Sequence, residues 1–191
     1  MSVDERMVHD IVQKVMANMQ ISGSVSGMHG VFKDMNDAIN ASIEAQKKVC
    51  TMTLDQREQI ISLIRKKTHE NAEILANMGV NETGMGNVGD KILKHHLTAD
   101  KVPGTEDIST IAWSGDRGLT LVEMGPFGVI GAITPATNPS ETVICNCIGM
   151  LAGGNTVVFN PHPNAKKTTI YTINMINEAS VSYTHLRAHE T

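Results

Sequence analysis

Aromatic side chains are scarce, 3% of 191 residues, so the core of this chain cannot be built on large rings. Twelve methionines point instead to packing by flexible aliphatic groups, where a thioether fills gaps more often than it binds a ligand. No cluster of lysine and arginine stands out, and the formal net charge is -4. That leaves no electrostatic footprint for a phosphate backbone and argues against nucleic acid as a partner. No apolar run approaches the length that crosses a bilayer, which argues against a membrane. The three cysteines are an odd number without framework spacing, and no charged-then-apolar leader precedes them. Both observations favour a reducing cytoplasm. The remainder, 41% hydrophobic and 19% charged, is the make-up of a soluble chain long enough for one good-sized domain.

Val3, Met7, Val8, Ile11, Val12, Val15, Met16 and Met19 recur at three- and four-residue steps, with charged residues on the other face. They predict a short amphipathic helix, with Ser2 and Glu5 spaced as a capping box. The Gly/Ser-rich stretch from Ile21 to Gly30 reads as a flexible tether. A tethered helix exposes its apolar stripe until it meets a groove. Docking on a partner protein is the favoured reading, and folding back onto its own domain is the alternative. Helical patterns follow from Asp34 to about Val49, and from a Thr53/Gln56 cap to about Met78. Gly84 to Gly89, GMGNVG, matches the dinucleotide-binding fingerprint letter for letter. A phosphate-cradling turn must follow a buried strand, however, and this one follows a charged helical stretch, so a helix-ending turn is expected.

After a polar segment with Pro103 and Gly104, GLTLVEMGPFGVIGAITPATNP predicts a hairpin around Gly125-Pro126 and then a buried strand. A helix over Ser140–Leu151, ended by Gly153-Gly154, the strand NTVVFN and a helix from about Asn164 to Ala179 complete a β-α-β-α order. That order implies a parallel, right-handed crossover sheet. Ligand loops sit at the carboxyl ends of such strands, which singles out TPATNPSE after Ile133 and NPHPNAKK after Phe159. The helix opening at Ser140 and Glu141 would favour an anionic group, although Glu141 would oppose one placed too near. A phosphate-bearing cofactor and a plain pair of turns both fit the loops at this point.

The run from Gly118 to Lys167 resembles the aldehyde dehydrogenase superfamily, in particular its CoA-acylating acetaldehyde and propionaldehyde dehydrogenases of the microcompartment type. GPFGVIG, TPATNP, AGGN and HPNAKK carry the resemblance in collinear order, NETGMGNVGDK upstream fits it, and the match extends from about Gly30 to Ala179. The resemblance implies an α/β fold: an incomplete Rossmann-like NAD-binding domain over 31–179, preceded by amino-terminal helices. The docking helix then occupies 1–19 and the linker 20–30. Residues 180–191 leave the family pattern and read as foreign or out-of-frame sequence, with a histidine-rich metal tail as the minor alternative.

Carried over by position, Thr134, Pro135, Ala136, Thr137 and Asn138 would line the nicotinamide side of NAD, and Asn160, Pro161 and His162 the adenosine side. His162 reads equally well as a local brace of the Pro161-Pro163 turn. Acid-forming members carry Pro-Trp-Asn-Phe-Pro where this chain has Pro135 to Pro139, so the oxyanion donor is either Asn138 or a backbone amide. The implied reaction converts a short-chain aldehyde to acyl-CoA, with NAD as oxidant and CoA as co-substrate, through a cysteine thiolate. Cys50 lies at a helix end, and Cys145 and Cys147 within the helix after the first loop. None is placed as that nucleophile, and core packing is expected of them. Two residues apart on a helix, Cys145 and Cys147 point about 200° from each other and cannot share a metal. The chain therefore reads as an inactive amino-terminal fragment. Its parent would be a cytoplasmic homo-oligomer, inside a bacterial microcompartment and docked on shell or partner enzyme through residues 3–19. A non-catalytic binding module and a fragment of an acid-forming aldehyde dehydrogenase are the alternatives.

Overall fold

The computed structural model describes residues 30–188, with side chains through residue 180; the expected docking helix over 1–19 and the tether up to residue 29 lie outside the described residues. Asp34 accepts from the Asn36 N–H and starts α1, Met35–Val49. Thr53 and Gln56 form the expected reciprocal capping box at the start of α2, Leu54–Thr83. This helix passes Met78 and stops where Gly84 turns left-handed, at φ 68°. The Gly84–Gly89 stretch is thus a helix-ending turn, as expected. It is also a helix start: Asn87 accepts from the Asp90 N–H and opens α3, Val88–Lys101.

Sequence periodicity gave no warning of α3, because its pattern is inverted. Leu93 and Leu97 are exposed at 68% and 59%, whereas Lys91, His95 and Thr98 are buried. The available signal was the cap, Asn87 three residues ahead of Asp90, whose carboxylate accepts in turn from Asn87 Nδ2 at 2.5 Å.

The hairpin also differs from expectation. β1, Ile111–Gly115, pairs antiparallel with β2, Gly118–Val122, around Asp116 and Arg117, not around Gly125-Pro126. A two-residue connection closes the strands directly, while Pro126 has no N–H to give a ladder. The segment holding Pro126 instead leads into β3, Val129–Ile133, anchored by Asn155 Oδ1, which accepts from the Phe127 and Gly128 N–H groups at 2.6 and 3.0 Å.

β3 continues into α4, Pro139–Ala152, then β4, Thr156–Asn160, which lies parallel to β3 as the β-α-β order requires. The expected buried strand is only half covered. Ile133 is 83% exposed, because among the described residues the sheet has two strands and one face of β3 lacks cover. After a short turn over Pro163–Ala165, α5 runs over Lys166–Ala188. It passes the expected end at Ala179 because no glycine or proline follows to stop it. Glu82 at the end of α2 caps α5, accepting from the N–H of Lys167 and Thr168 at 2.7 Å each.

The core lies between helices. Ile60, Ile61, Ile64 and Leu75 of α2 pack with Val143, Ile144 and Ile148 of α4 and with Met175 and Ile176 of α5. Each fully buried aliphatic side chain contributes about 1.5–3 kcal/mol. That burial fixes α4 on α2 and thereby fixes where the loop before α4 emerges.

Candidate functional site

β3 and β4 end level, Ile133 opposite Asn160. One residue further, the Thr134 N–H donates to the Asn160 carbonyl at 3.1 Å, so the two candidate loops leave from one shared edge. Thr134 is 2% exposed and its hydroxyl has no hydrogen-bond partner among the described residues. Pro135 and Thr137 are exposed, and Ala136 and Asn138 half-buried; across the edge, Asn160 and His162 are exposed and Pro161 half-buried. His162 Nδ1 accepts from the Asn164 N–H at 3.1 Å, so the local brace of this turn is made. Beside Asn160 and Pro161 a mainly apolar cleft of about 760 Å³ opens between α1, β4 and α5. Ligand pockets fall in that size range.

From the other side, α3 reaches the first loop. Lys91 Nζ donates to the Thr137 carbonyl at 3.0 Å and lies 3.5 Å from Glu141 Oε1. One turn on, Lys94 Nζ donates to Asn138 Oδ1 at 2.9 Å. A second cavity, about 380 Å³, lies between these lysines, the Met85–Asn87 turn and Thr137-Asn138. The stretch that mimics a dinucleotide fingerprint therefore borders the candidate loop, although it cradles it through a following helix and not as a strand-to-helix turn.

Glu141 does not oppose a ligand as its sequence position suggested. It is 4% exposed and faces Lys91 and Ser140, so its charge is balanced inside the protein. Burial lowers the pKa of His95, with Glu141 working against the shift. Its Nδ1 lies 2.6 Å from the Lys91 carbonyl and its Nε2 lies 2.7 Å from Ser140 Oγ, whose hydroxyl is also 3.1 Å from Glu141 Oε2. This serine–histidine pair has the spacing of a nucleophile and its base, but Ser140 is 1% exposed and no substrate reaches it. The pair fastens α4 to α3.

Of the three cysteines, Cys147 is among the residues lining the cleft, whereas Cys50 and Cys145 are not. Cys147 packs against the core, where burial pushes its thiol up to about 12. Burial, and then the charge of Glu141, also raise the Cys145 thiol. Cys50 is not a core residue as expected: it is exposed at the end of α1, where Gln46 Nε2 approaches its sulfur at 3.1 Å. Among the described residues no three ligating side chains converge on a metal site, and no helix is long and apolar enough to cross a membrane.

A family model described as "Aldehyde dehydrogenase family" matches residues 15–185. The chain belongs to the aldehyde dehydrogenase family. An acetylating acetaldehyde dehydrogenase of Bilophila wadsworthia is 45% identical over 189 residues, covering 94% of this chain and 39% of that protein. A solved propionaldehyde dehydrogenase from the fucose utilisation bacterial microcompartment of Clostridium phytofermentans is 74% identical, with a TM-score of 0.78 over 81% of this chain and 35% of that one. A propionaldehyde dehydrogenase of Rhodopseudomonas palustris, solved with bound propionyl-CoA, is 46% identical with a TM-score of 0.78, again over 81% and 35%. The chain thus spans 39% or less of the length of these relatives. Its mixed helix-and-sheet architecture is part of the aldehyde dehydrogenase fold, and its relatives are acylating oxidoreductases. Lys91 and Lys94 went unnoticed in the sequence because the helix that carries them hides its buried face behind polar residues.

Proposed function

We propose that the whole protein oxidises a short-chain aldehyde to its acyl-CoA, with NAD as oxidant and CoA as acyl acceptor. The observation that carries this reading is the shared edge at Thr134 and Asn160, from which both candidate loops emerge at the carboxyl ends of parallel strands. The unpartnered Thr134 hydroxyl and the ligand-sized cleft beside Asn160 and Pro161 fit a bound dinucleotide. Thr134 to Asn138 would hold the nicotinamide side and Asn160 to His162 the adenosine side. When bound, NAD supplies the hydride acceptor and CoA the thiol that takes the acyl group. Asn138 is the chain's side-chain candidate for donating a hydrogen bond to the aldehyde oxygen as charge develops on it.

The chain itself is expected to show no turnover, since Cys147 is held protonated, Cys145 lies within α4 and Cys50 sits at the end of α1. Acetaldehyde or propionaldehyde oxidation by the purified chain, assayed with NAD and CoA, would refute that. The full-length protein should form NADH only when CoA is present, and CoA-independent acid formation would move it to the acid-forming branch. The amphipathic spacing of residues 3–19 supports docking on a microcompartment shell or a partner enzyme. A reporter fused to residues 1–30 should concentrate with shells, and diffuse fluorescence would remove the idea. Residues 180–191 read as non-native, and sequencing the locus past Ala179 tests this.

A further inference from the structure

We infer that Lys94 is a positioning residue, which turns the Asn138 side-chain amide toward the reacting aldehyde oxygen; this rests on the reading of Asn138 as oxyanion donor given above. An asparagine at a helix N-cap ordinarily folds its Oδ1 back to accept from the first turn of the helix. Asn138 occupies that position at the start of α4 and makes no such bond. Its Oδ1 instead accepts from Lys94 Nζ at 2.9 Å. An ammonium group can only donate, so the oxygen must face Lys94 and the Nδ2 group must face elsewhere, which settles the orientation of the amide by chemistry alone. Nδ2 makes no hydrogen bond among the described residues. The charge-assisted bond to oxygen also draws electron density from the amide and makes its N–H groups better donors.

The backbone beside this amide is fixed by the same helix. Lys91 holds the Thr137 carbonyl at 3.0 Å and is itself held near Glu141, with both side chains buried. Lys91 and Lys94 are three residues apart and share one face of α3. The helix begins at Val88 behind its cap Asn87, inside the glycine-rich turn, so that turn delivers two lysines to the loop. A donor held in place before charge develops costs no reorganisation during reaction.

Lys94 is exposed, so its replacement should leave the fold intact. In the full-length protein Asn138→Ala should lower kcat about 100-fold, the loss typical of one oxyanion donor. Lys94→Met should lower kcat about 10-fold while KM for aldehyde, NAD and CoA stays within about threefold, and Lys94→Arg should restore most of the rate. The double variant Lys94→Met/Asn138→Ala should be no slower than Asn138→Ala alone. A raised KM for NAD or CoA at unchanged kcat would make Lys94 a ligand contact, and multiplicative losses in the double variant would make it independent of Asn138. Either result overturns the inference. Full kcat in Asn138→Ala would remove the oxyanion reading itself, whereas a slow Asn138→Ala beside a normal Lys94→Met would sink the positioning role alone.

Discussion

At the scale of single residues, burial sorts the three cysteines and the carboxylates into different chemical classes. A thiol reacts as its thiolate, so Cys147, pushed up to about 12 by burial, should resist alkylation in the folded chain, and Cys145 should react slowly. Cys50, exposed at the end of α1, should react first with iodoacetamide. Peptide mass spectrometry after timed alkylation reads that order, and early modification of Cys147 would contradict the packing described. Glu82 shows the opposite balance. Burial acts to raise its pKa, but hydrogen bonds from the Thr168 hydroxyl and from the Thr168 and Lys167 N–H groups outweigh it and hold the carboxyl below 4.5. A group whose folded pKa is depressed contributes stability that is full above the unfolded value and lost as pH falls through the folded one. Glu82→Gln should therefore lower the denaturation midpoint at pH 7, with the gap to wild type closing below pH 4.5. A gap independent of pH would mean that the carboxylate charge is not what caps α5.

At the scale of elements, caps set where helices begin and buried faces set where they lie. Thr53→Ala removes a capping box and should cost about 1 kcal/mol. Ile144→Ala, at a fully buried position between α2, α4 and α5, should cost about 2–5 kcal/mol. Urea denaturation distinguishes them, and equal losses would mean that α4 is not seated as described. The same contrast explains which elements could be read from the chain. α1 and α2 announce themselves by cap and periodicity, α4 by periodicity and its Gly153-Gly154 end, and β4 by its apolar run between turn signals. α3 does not: its buried face is made of Lys91, His95 and Thr98, whose partners Thr137, Glu141, Ser140 and Cys145 are distant in sequence. No local pattern signals that a lysine will be paired fifty residues later. The β1–β2 ribbon was misplaced for a related reason, since Gly125-Pro126 is the stronger turn signal while Asp116-Arg117 closes the strands.

At the scale of the molecule, several apolar surfaces are uncovered among the described residues. Trp113, Leu119 and Leu121 of the hairpin are 58%, 64% and 58% exposed, and an isolated two-stranded ribbon is marginal in water. If the full-length protein pairs through this arm, Leu119→Lys/Leu121→Lys should shift it to smaller species in sedimentation velocity, and an unchanged distribution would place the oligomer contact elsewhere. Ile133 on the outer face of β3 is uncovered in the same way, which accords with a chain spanning only part of its relatives' length. The sequence by itself determined the family, the parallel strand–helix–strand frame and the loops at its carboxyl edge. These are carried by collinear motifs and by short-range periodicity. Only the tertiary structure decided that the glycine-rich turn launches a helix, that Glu141 is neutralised by Lys91 and that Lys94 takes the oxygen of Asn138. Such pairings join residues 44 to 50 positions apart, and their geometry exists only after the core has seated α3 against α4.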